Sequence, residues 1–546
     1  MRVGVGVTAI WLCFVARVWF YAAVLPVWEG YDEWSHFAVI RLVALRGQAL
    51  PAWDSPLPRD VGASLELLPL PWSWRLAGAP RIAGDEFWLL PREERDSREL
   101  KFRLLPREWQ WQDSDGPYRA HEAYQPPLYY WTMAPLMSLL GGAGLARQLL
   151  AVRWFGALLG SLAIPLTFCI ARDLLRSDRL ALGCAAVVAA MPGFALVVGH
   201  AGNDCLAIAL FSVLIWCGVR VASGKSRLGD ILALGAALGL GLLTKAYFLT
   251  AIPAVAVLAI WKLRGRAAVP LACALLLGGW WYARAYAQTG TLTGLTDFVM
   301  ASDARTGGLL RQALAVPWGR AIDSILFSHL YAGGWSFLQV RSWMYHVFYV
   351  VALLGLAGLV RARRTAAMLW LAAIYAGFWL GELYHVVILW AARGVATSMG
   401  YYLYGVVAAE VPQCTAGLTG LLPERRAAWA PAAGVALFAA LDLFAMHAIA
   451  IPYYTGVIRH KANGALEAFH GSALHGIGLG EVLRRIAAFK TPTLSVPVVF
   501  LLWLAYLAGT LTLLWIVWGS LIQNARPYCT GGFGSTPSSR AACKGK

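Results

Sequence analysis

Residues 4–25 form an apolar run interrupted only by Arg17, and runs of similar length recur to the end of the chain. About 20 apolar residues suffice to cross a bilayer as a helix. Spans are therefore predicted at 4–26, 150–171, 180–200, 203–221, 229–244, 246–262, 267–285, 343–360, 366–391, 401–422, 427–451 and 494–519. In lipid a spanning backbone must satisfy its own polar groups, which restricts such segments to helices. With 59% hydrophobic and only 14% charged residues, most of the chain has lipid as its solvent, since soluble domains are nearer a quarter charged. The first run is too long for a signal peptide and lacks a following small-residue cleavage site, so it reads as an anchor.

The formal charge of +17 does not point to nucleic acid. The basic residues cluster in short loops between apolar runs: Arg172, Arg176 and Arg179; Arg220, Lys225 and Arg227; Lys262, Arg264 and Arg266; Arg361, Arg363 and Arg364; Arg425 and Arg426. This is the positive-inside pattern of cytoplasmic loops. None of the nine cysteines falls between residues 27 and 122 and no C-x-x-C occurs, which speaks against a disulfide framework or a cysteine-based zinc site. Neither a Walker A sequence nor G-x-G-x-x-G is present, so nothing suggests nucleotide use.

The segment 126–142, PPLYYWTMAPLMSLLGG, is short and opens with two prolines. If it spanned, the basic loops would no longer alternate with the long ones. It is read as lying in the outer interface. The resulting topology has 12 spans (13 if 126–142 crosses) with both termini cytoplasmic, an all-α polytopic membrane protein. The expected organisation is a first helix at 1–26, an outer loop at 27–149, a membrane module at 150–285, and a second outer loop at 286–342. Further spans follow at 343–451, then a third outer loop at 452–493, a last span at 494–519 and a disordered cytoplasmic tail at 520–546. Residues 27–122 hold 16 of the 29 Asp and Glu, against 12 Lys and Arg, so this loop is expected to be a small cap with its own chemistry. Its Trp53, Trp72, Trp74, Trp88, Trp109 and Trp111 suit the interface.

The cap begins EGYDEWSHF (29–37). On a helix continuing to about Arg46, Asp32 and His36 are i,i+4 neighbours, with Glu29 one turn earlier. When the dipeptide stands alone, an acidic helix start, favourable to the dipole, is the better explanation of the carboxylates. Two further segments sit at outer ends of spans on this topology: HEAYQPPLYYW (121–131), and NDCLAIA (203–209) followed by LGLGLLTKA (238–246).

YDEWSH after the first span, QPPLYY closing the first outer loop, ND at the head of a later span and LTK at the end of the next resemble the GT-C superfamily of membrane glycosyltransferases. The likeness is to its protein O-mannosyltransferase and aminoarabinose-transferase-like branch, and covers residues 1–300 by motif order. The resemblance implies a GT-C-like fold, a polyprenyl-phosphate sugar donor, a hydroxyl acceptor (protein, glycolipid or polysaccharide) and an active site on the outer face of a bacterial inner membrane. It implies Asp32 as catalytic base and Glu33 beside it, with Glu29 lining the site together with His36, His121 and Gln125. Tyr129 and Tyr130 would contact the prenyl chain or hold the loop down. Tyr124 stands where relatives often carry His, and Tyr401 where they often carry Arg.

The chemistry fits these residue types. A carboxylate can accept the acceptor's proton in the transition state and stabilise an oxocarbenium-like centre. A departing lipid phosphate needs cations, for which Lys245, Arg284, Arg153 and Arg393 are candidates. Interfacial anchoring or snorkelling accounts for the same cations in a non-catalytic chain. No metal is specified, although three carboxylates could bind a divalent metal. Elsewhere, Glu410 and Asp442 are expected to form a hydrogen-bonded pair inside spans, Asp204 to cap a helix, and 480–490 to form a basic amphipathic helix on lipid or protein. The glycine pairs Gly156/Gly160 and Gly235/Gly239 read as close helix packing. The alternative function is a transporter or flippase of lipid-linked sugars, or a non-catalytic lipid-binding relative. Two similar halves, the mark of many transporters, are not evident.

Overall fold

A computed structural model describes residues 3–76, 82–303, 308–362, 364–472 and 476–525. The described chain is helical throughout, with isolated β-bridges only. Among the described residues, eight helices are long and apolar enough to cross a membrane, or nine if the bent pair Asp178–Ala190 and Pro192–Val198 is one span. The expected 12 spans, or 13, are thus an overcount. An apolar window measures greasy chain, not unbroken helix. Leu228–Leu242 is only 15 residues, Ala268–Ala274 joins Trp280–Thr289 through a π-helical turn, and Val407–Gly420 is entered through the 3-10 segment Gly400–Val406. Leu128–Leu139, at 12 residues, would rise about 18 Å. The last helix runs to Ala525, past the expected border at 519, and the tail from 526 lies outside the described residues.

Charges inside the membrane region are paired, as their cost in lipid demands. Arg17 of Val3–Val24 lies 2.8 Å from Asp442 and donates to the Ala190 carbonyl. The same carboxylate accepts from the Tyr21 hydroxyl at 2.5 Å and the Tyr506 hydroxyl at 2.7 Å. This knot ties the first span to the spans Glu424–Tyr454 and Val496–Gly519. Glu410 does not meet Asp442 as expected: it faces His329 at 3.0 Å. Gly160 packs against Val198 and Gly235 against Pro270 so closely that a Cβ would collide.

The first outer loop has its own core. Trp28, Trp34, Phe37, Ile40, Val61, Leu65, Phe87 and Phe102 pack with Tyr129, Tyr130 and Met133 of Leu128–Leu139. Of its six tryptophans singled out above, Trp74 and Trp88 pack against that core. The Trp88 indole donates to the Tyr454 carbonyl, Trp72 stacks on His460, and Arg59 lies over Trp109, whereas Trp111 is exposed. The basic helix Leu479–Ala487 buries Val482, Leu483 and Ile486 against the protein, and its Glu481 pairs with Arg484 and Arg485.

The C-terminal carbonyls of the first span, orphaned by helix geometry, are taken up by two buried cations. Arg153 donates to Ala22 (2.9 Å), Leu25 (2.8 Å) and Pro26 (2.6 Å). Lys490, from the third outer loop, donates to Ala23 (2.5 Å) and Leu25 (3.1 Å). The start of the cap is thereby fixed over the membrane module.

Candidate active site

The three acids of EGYDEWSH part company. The helix Glu33–Ala44 starts one residue after Asp32, which sits at its N-cap with left-handed backbone, φ 49°. That turn sends successive side chains in different directions. Gly30 makes the fold possible here, since an added Cβ would lie 2.5 Å from the His200 Cβ.

Glu29 is buried and accepts two hydrogen bonds from Ser336, from its N–H at 2.8 Å and its hydroxyl at 3.0 Å. Burial pushes its pKa from the ordinary 4.5 up to about 8 against those hydrogen bonds. The folded chain therefore holds a proton that the unfolded chain releases near pH 4.5. Stability should fall between about pH 5 and 8, by up to about 1.4 kcal/mol per pH unit, and level off above. Thermal denaturation of Glu29→Gln should lose the Glu29 part of this slope and keep the part due to Glu122; a slope unchanged from wild type would assign the pH dependence to other groups.

Glu33 is fully buried and bidentate to Arg153, at 2.7 and 2.6 Å, and also accepts from the Ala201 N–H at 2.8 Å. Burial alone would raise its pKa, but Arg153 outweighs burial and lowers it. With the three carbonyls above, all the guanidinium N–H groups of Arg153 are engaged. The structure therefore joins two predicted site residues, Glu33 and Arg153, to each other.

Asp32 alone of the three keeps an open carboxylate, with its side chain 38% exposed. His121 Nε2 lies 3.4 Å from Asp32 Oδ1 and 3.5 Å from Glu122 Oε1. One ligand atom from each of Asp32, His121 and Glu122 lies within 4.8 Å of the others, a grouping able to hold a metal ion. Glu122 Oε2 is buried and makes no hydrogen bond among the described residues, although His36 Nε2 lies 3.6 Å from it. Burial and then the charge of Asp32 push the Glu122 pKa up to about 7. His121 is raised: burial opposes it, but the hydrogen bond to Asp32 and the charge of Glu122 prevail.

His36 does not pair with Asp32, its expected helix-face neighbour. The Tyr130 hydroxyl donates to the Glu122 carbonyl (3.0 Å), so it accepts from His36 Nδ1–H (2.9 Å). Burial holds His36 neutral, helped by Lys245. Tyr129 is fully buried in the core of the cap, and its hydroxyl has no partner among the described residues.

Gln125 links this cluster to a cavity of about 380 Å³: its side chain helps to hold the Glu122 pKa down and it lines the cavity wall. Lys245, Tyr247, Phe298, Glu382, His385 and Tyr402 also line it. Lys245 pairs with Asp204 at 2.6 Å and lies 5.0 Å from the Tyr402 ring. Asp204 is thus the partner of Lys245 rather than a cap; it makes no capping bond, being the first helical residue itself. Arg284 rests over Trp281, and Arg393 is held by Asp297 at 2.5 Å; neither lines the cavity. Sequence reasoning misses Glu122 and Glu382, and sees in His385 only a scattered histidine whose spacing builds no metal site. Only Glu122 had a signal, its place between His121 and Gln-Pro-Pro.

Residues 124–279 match a family model described as dolichyl-phosphate-mannose-protein mannosyltransferase. A segment of 150 residues is 30% identical to the undecaprenyl phosphate-alpha-4-amino-4-deoxy-L-arabinose arabinosyl transferase of Pseudomonas aeruginosa strain UCBPP-PA14. The match covers 26% of this chain and 26% of that relative, and the corresponding protein of Pseudomonas paraeruginosa gives the same figures. The chain resembles the GT-C membrane glycosyltransferases. This GT-C-like chain is all-helical over its described residues, with eight or nine helices able to cross a membrane, and the relatives named here are bacterial. Its matched segment spans about a quarter of those relatives. Residues 124–279 contain Gln125, Tyr129, Tyr130, Arg153 and Lys245 but not Asp32. Two crystal structures of ArnT from Cupriavidus metallidurans also overlay. The form bound to undecaprenyl phosphate has TM-score 0.46 at 15% identity, covering 96% of this chain and 79% of that one. The apo form has TM-score 0.44 at 16% identity, covering 91% and 74%.

Proposed function

We propose that this chain moves a sugar from a polyprenyl-phosphate donor to a hydroxyl acceptor on the outer face of the membrane, with Asp32 as general base. The observation that carries the reading is the open carboxylate of Asp32 beside His121 and Glu122, connected through Gln125 to a cavity that also holds Lys245. Asp32 accepts the acceptor proton as the new glycosidic bond forms and the anomeric bond to phosphate breaks. Lys245 spends one hydrogen bond on Asp204, and its remaining N–H groups are offered to the departing phosphate. The matched family and relatives act on lipid-phosphate sugars by name, which supports the donor class. A divalent cation on Asp32, His121 and Glu122 would supply a Lewis acid at the outer edge of the site.

Purified protein supplied with a polyprenyl-phosphate sugar and acceptor should release the lipid phosphate. Movement of the lipid between leaflets without bond cleavage would instead identify a transporter. Lys245→Gln should lower kcat/KM for the donor by about 10- to 100-fold, the worth of a charge-assisted hydrogen bond. An unmoved donor kcat/KM would remove Lys245 from the phosphate site.

A further inference from the structure

The lining of the cavity carries a hydrogen-bond chain to which the proposed mechanism gives no task. Glu382 and His385 stand one turn apart on the helix Ala366–Arg393, and both line the cavity. Between them lies Ser398, buried in the segment that follows this helix. The Ser398 hydroxyl donates to Glu382 Oε1, and His385 Nδ1 lies 3.2 Å from the same hydroxyl oxygen. Ser398 is itself fixed: its carbonyl accepts from the Ser324 hydroxyl at 3.0 Å.

A serine hydroxyl has one hydrogen to give. Committed to the Glu382 carboxylate, it leaves only lone pairs for His385, so Nδ1 must carry the hydrogen and donate. In neutral imidazole the other nitrogen is then bare. No described residue hydrogen-bonds His385 Nε2, and His385 lines the same cavity as Lys245 and Gln125. The ring is further held flat against Phe298 at 6.4 Å and edge-on to Tyr402 at 6.0 Å.

We infer that His385, set in one tautomer by Ser398 and Glu382, is a specificity-determining hydrogen-bond acceptor for an O–H or N–H on the donor's sugar ring. This rests on the reading that the cavity takes the head of a lipid-linked sugar, and it names what that sugar must present: a donor hydrogen toward this wall. His385 touches the ligand. Ser398 and Glu382 are positioning residues that act through it. The wall should select against a ring lacking that group, because the bare nitrogen would then be desolvated without a partner.

The test is binding of short-chain prenyl-phosphate sugars to the detergent-purified full chain by calorimetry, using a bound sugar and its series of single-deoxy analogues. One position should matter in the wild type, with about 5- to 100-fold weaker binding of its deoxy analogue. His385→Ala should erase that difference. His385→Gln, which can restore an acceptor near the Nε2 position, should regain part of it. Ser398→Ala should blunt it and Ser398→Thr, which keeps the hydroxyl, should preserve it. Prenyl phosphate without sugar should bind all variants alike. Undiminished discrimination in folded His385→Ala overturns the inference while leaving the proposed function standing. Equal binding of every analogue by the wild type also overturns it. Failure of the wild type to bind any prenyl-phosphate sugar sinks both this inference and the reading of the cavity beneath it.

Discussion

Asp32→Asn is expected to fold normally and to lose sugar transfer by about 10²- to 10⁴-fold, the usual contribution of a positioned general base. The side chain is 38% exposed and its contact with His121 is a loose 3.4 Å, so an isosteric amide disturbs little packing. Asparagine keeps an acceptor oxygen but cannot take a proton at neutral pH. The defect should therefore lie in kcat, with donor KM nearly unmoved, because Lys245 and the cavity wall are untouched. Release of lipid phosphate under saturating donor measures it. Full-speed transfer by a well-folded Asp32→Asn protein would end the assignment of Asp32, and with it the proposed mechanism.

The opposite outcome is expected at Arg153. Arg153→Ala should cost about 3–5 kcal/mol, the penalty for breaking a buried pair by removing one partner. It strands the Glu33 carboxylate at 0% exposure and removes the only Arg153-borne donors to the Ala22, Leu25 and Pro26 carbonyls. A lowered midpoint of thermal unfolding in detergent, or failure to accumulate in membranes, is the readout. The double change Arg153→Met with Glu33→Met should recover part of the loss, since no charge is then left buried alone. If Arg153→Ala instead kept its midpoint and bound donor poorly, Arg153 would return to the list of phosphate ligands.

These two residues show how far the sequence reached. Hydropathy and the clustering of arginines made the membrane setting legible, because lipid imposes the same length and polarity on every span. The breaks in those spans were hidden: a bend at Pro192, a π-turn at Leu275–Gly279 and a 3-10 entry at Gly400–Val406 consume apolar residues without lengthening a straight helix. At the site, EGYDEWSH announced carboxylates without their directions. Spacing predicted Asp32 above His36, but the left-handed residue at the helix start turned Asp32 toward His121 instead. Glu29 and Glu33 found partners about 300 and 120 residues away, Ser336 and Arg153, which local pattern cannot foresee. Lys245 could be singled out because a cation at that end of a span was out of place. His385 carried no such anomaly; only the fold places Ser398 against it.

The grip of Arg153 and Lys490 on one crown of carbonyls has a consequence for traffic. The earliest and the latest of the outer segments share a single fastening at the lip of the first span. Swinging the cap upward about Pro26 would unseat both cations at once. If the cavity takes a lipid head as proposed, that head has to be admitted with the cap still fastened, past some other stretch of its lining such as Gly290–Thr293.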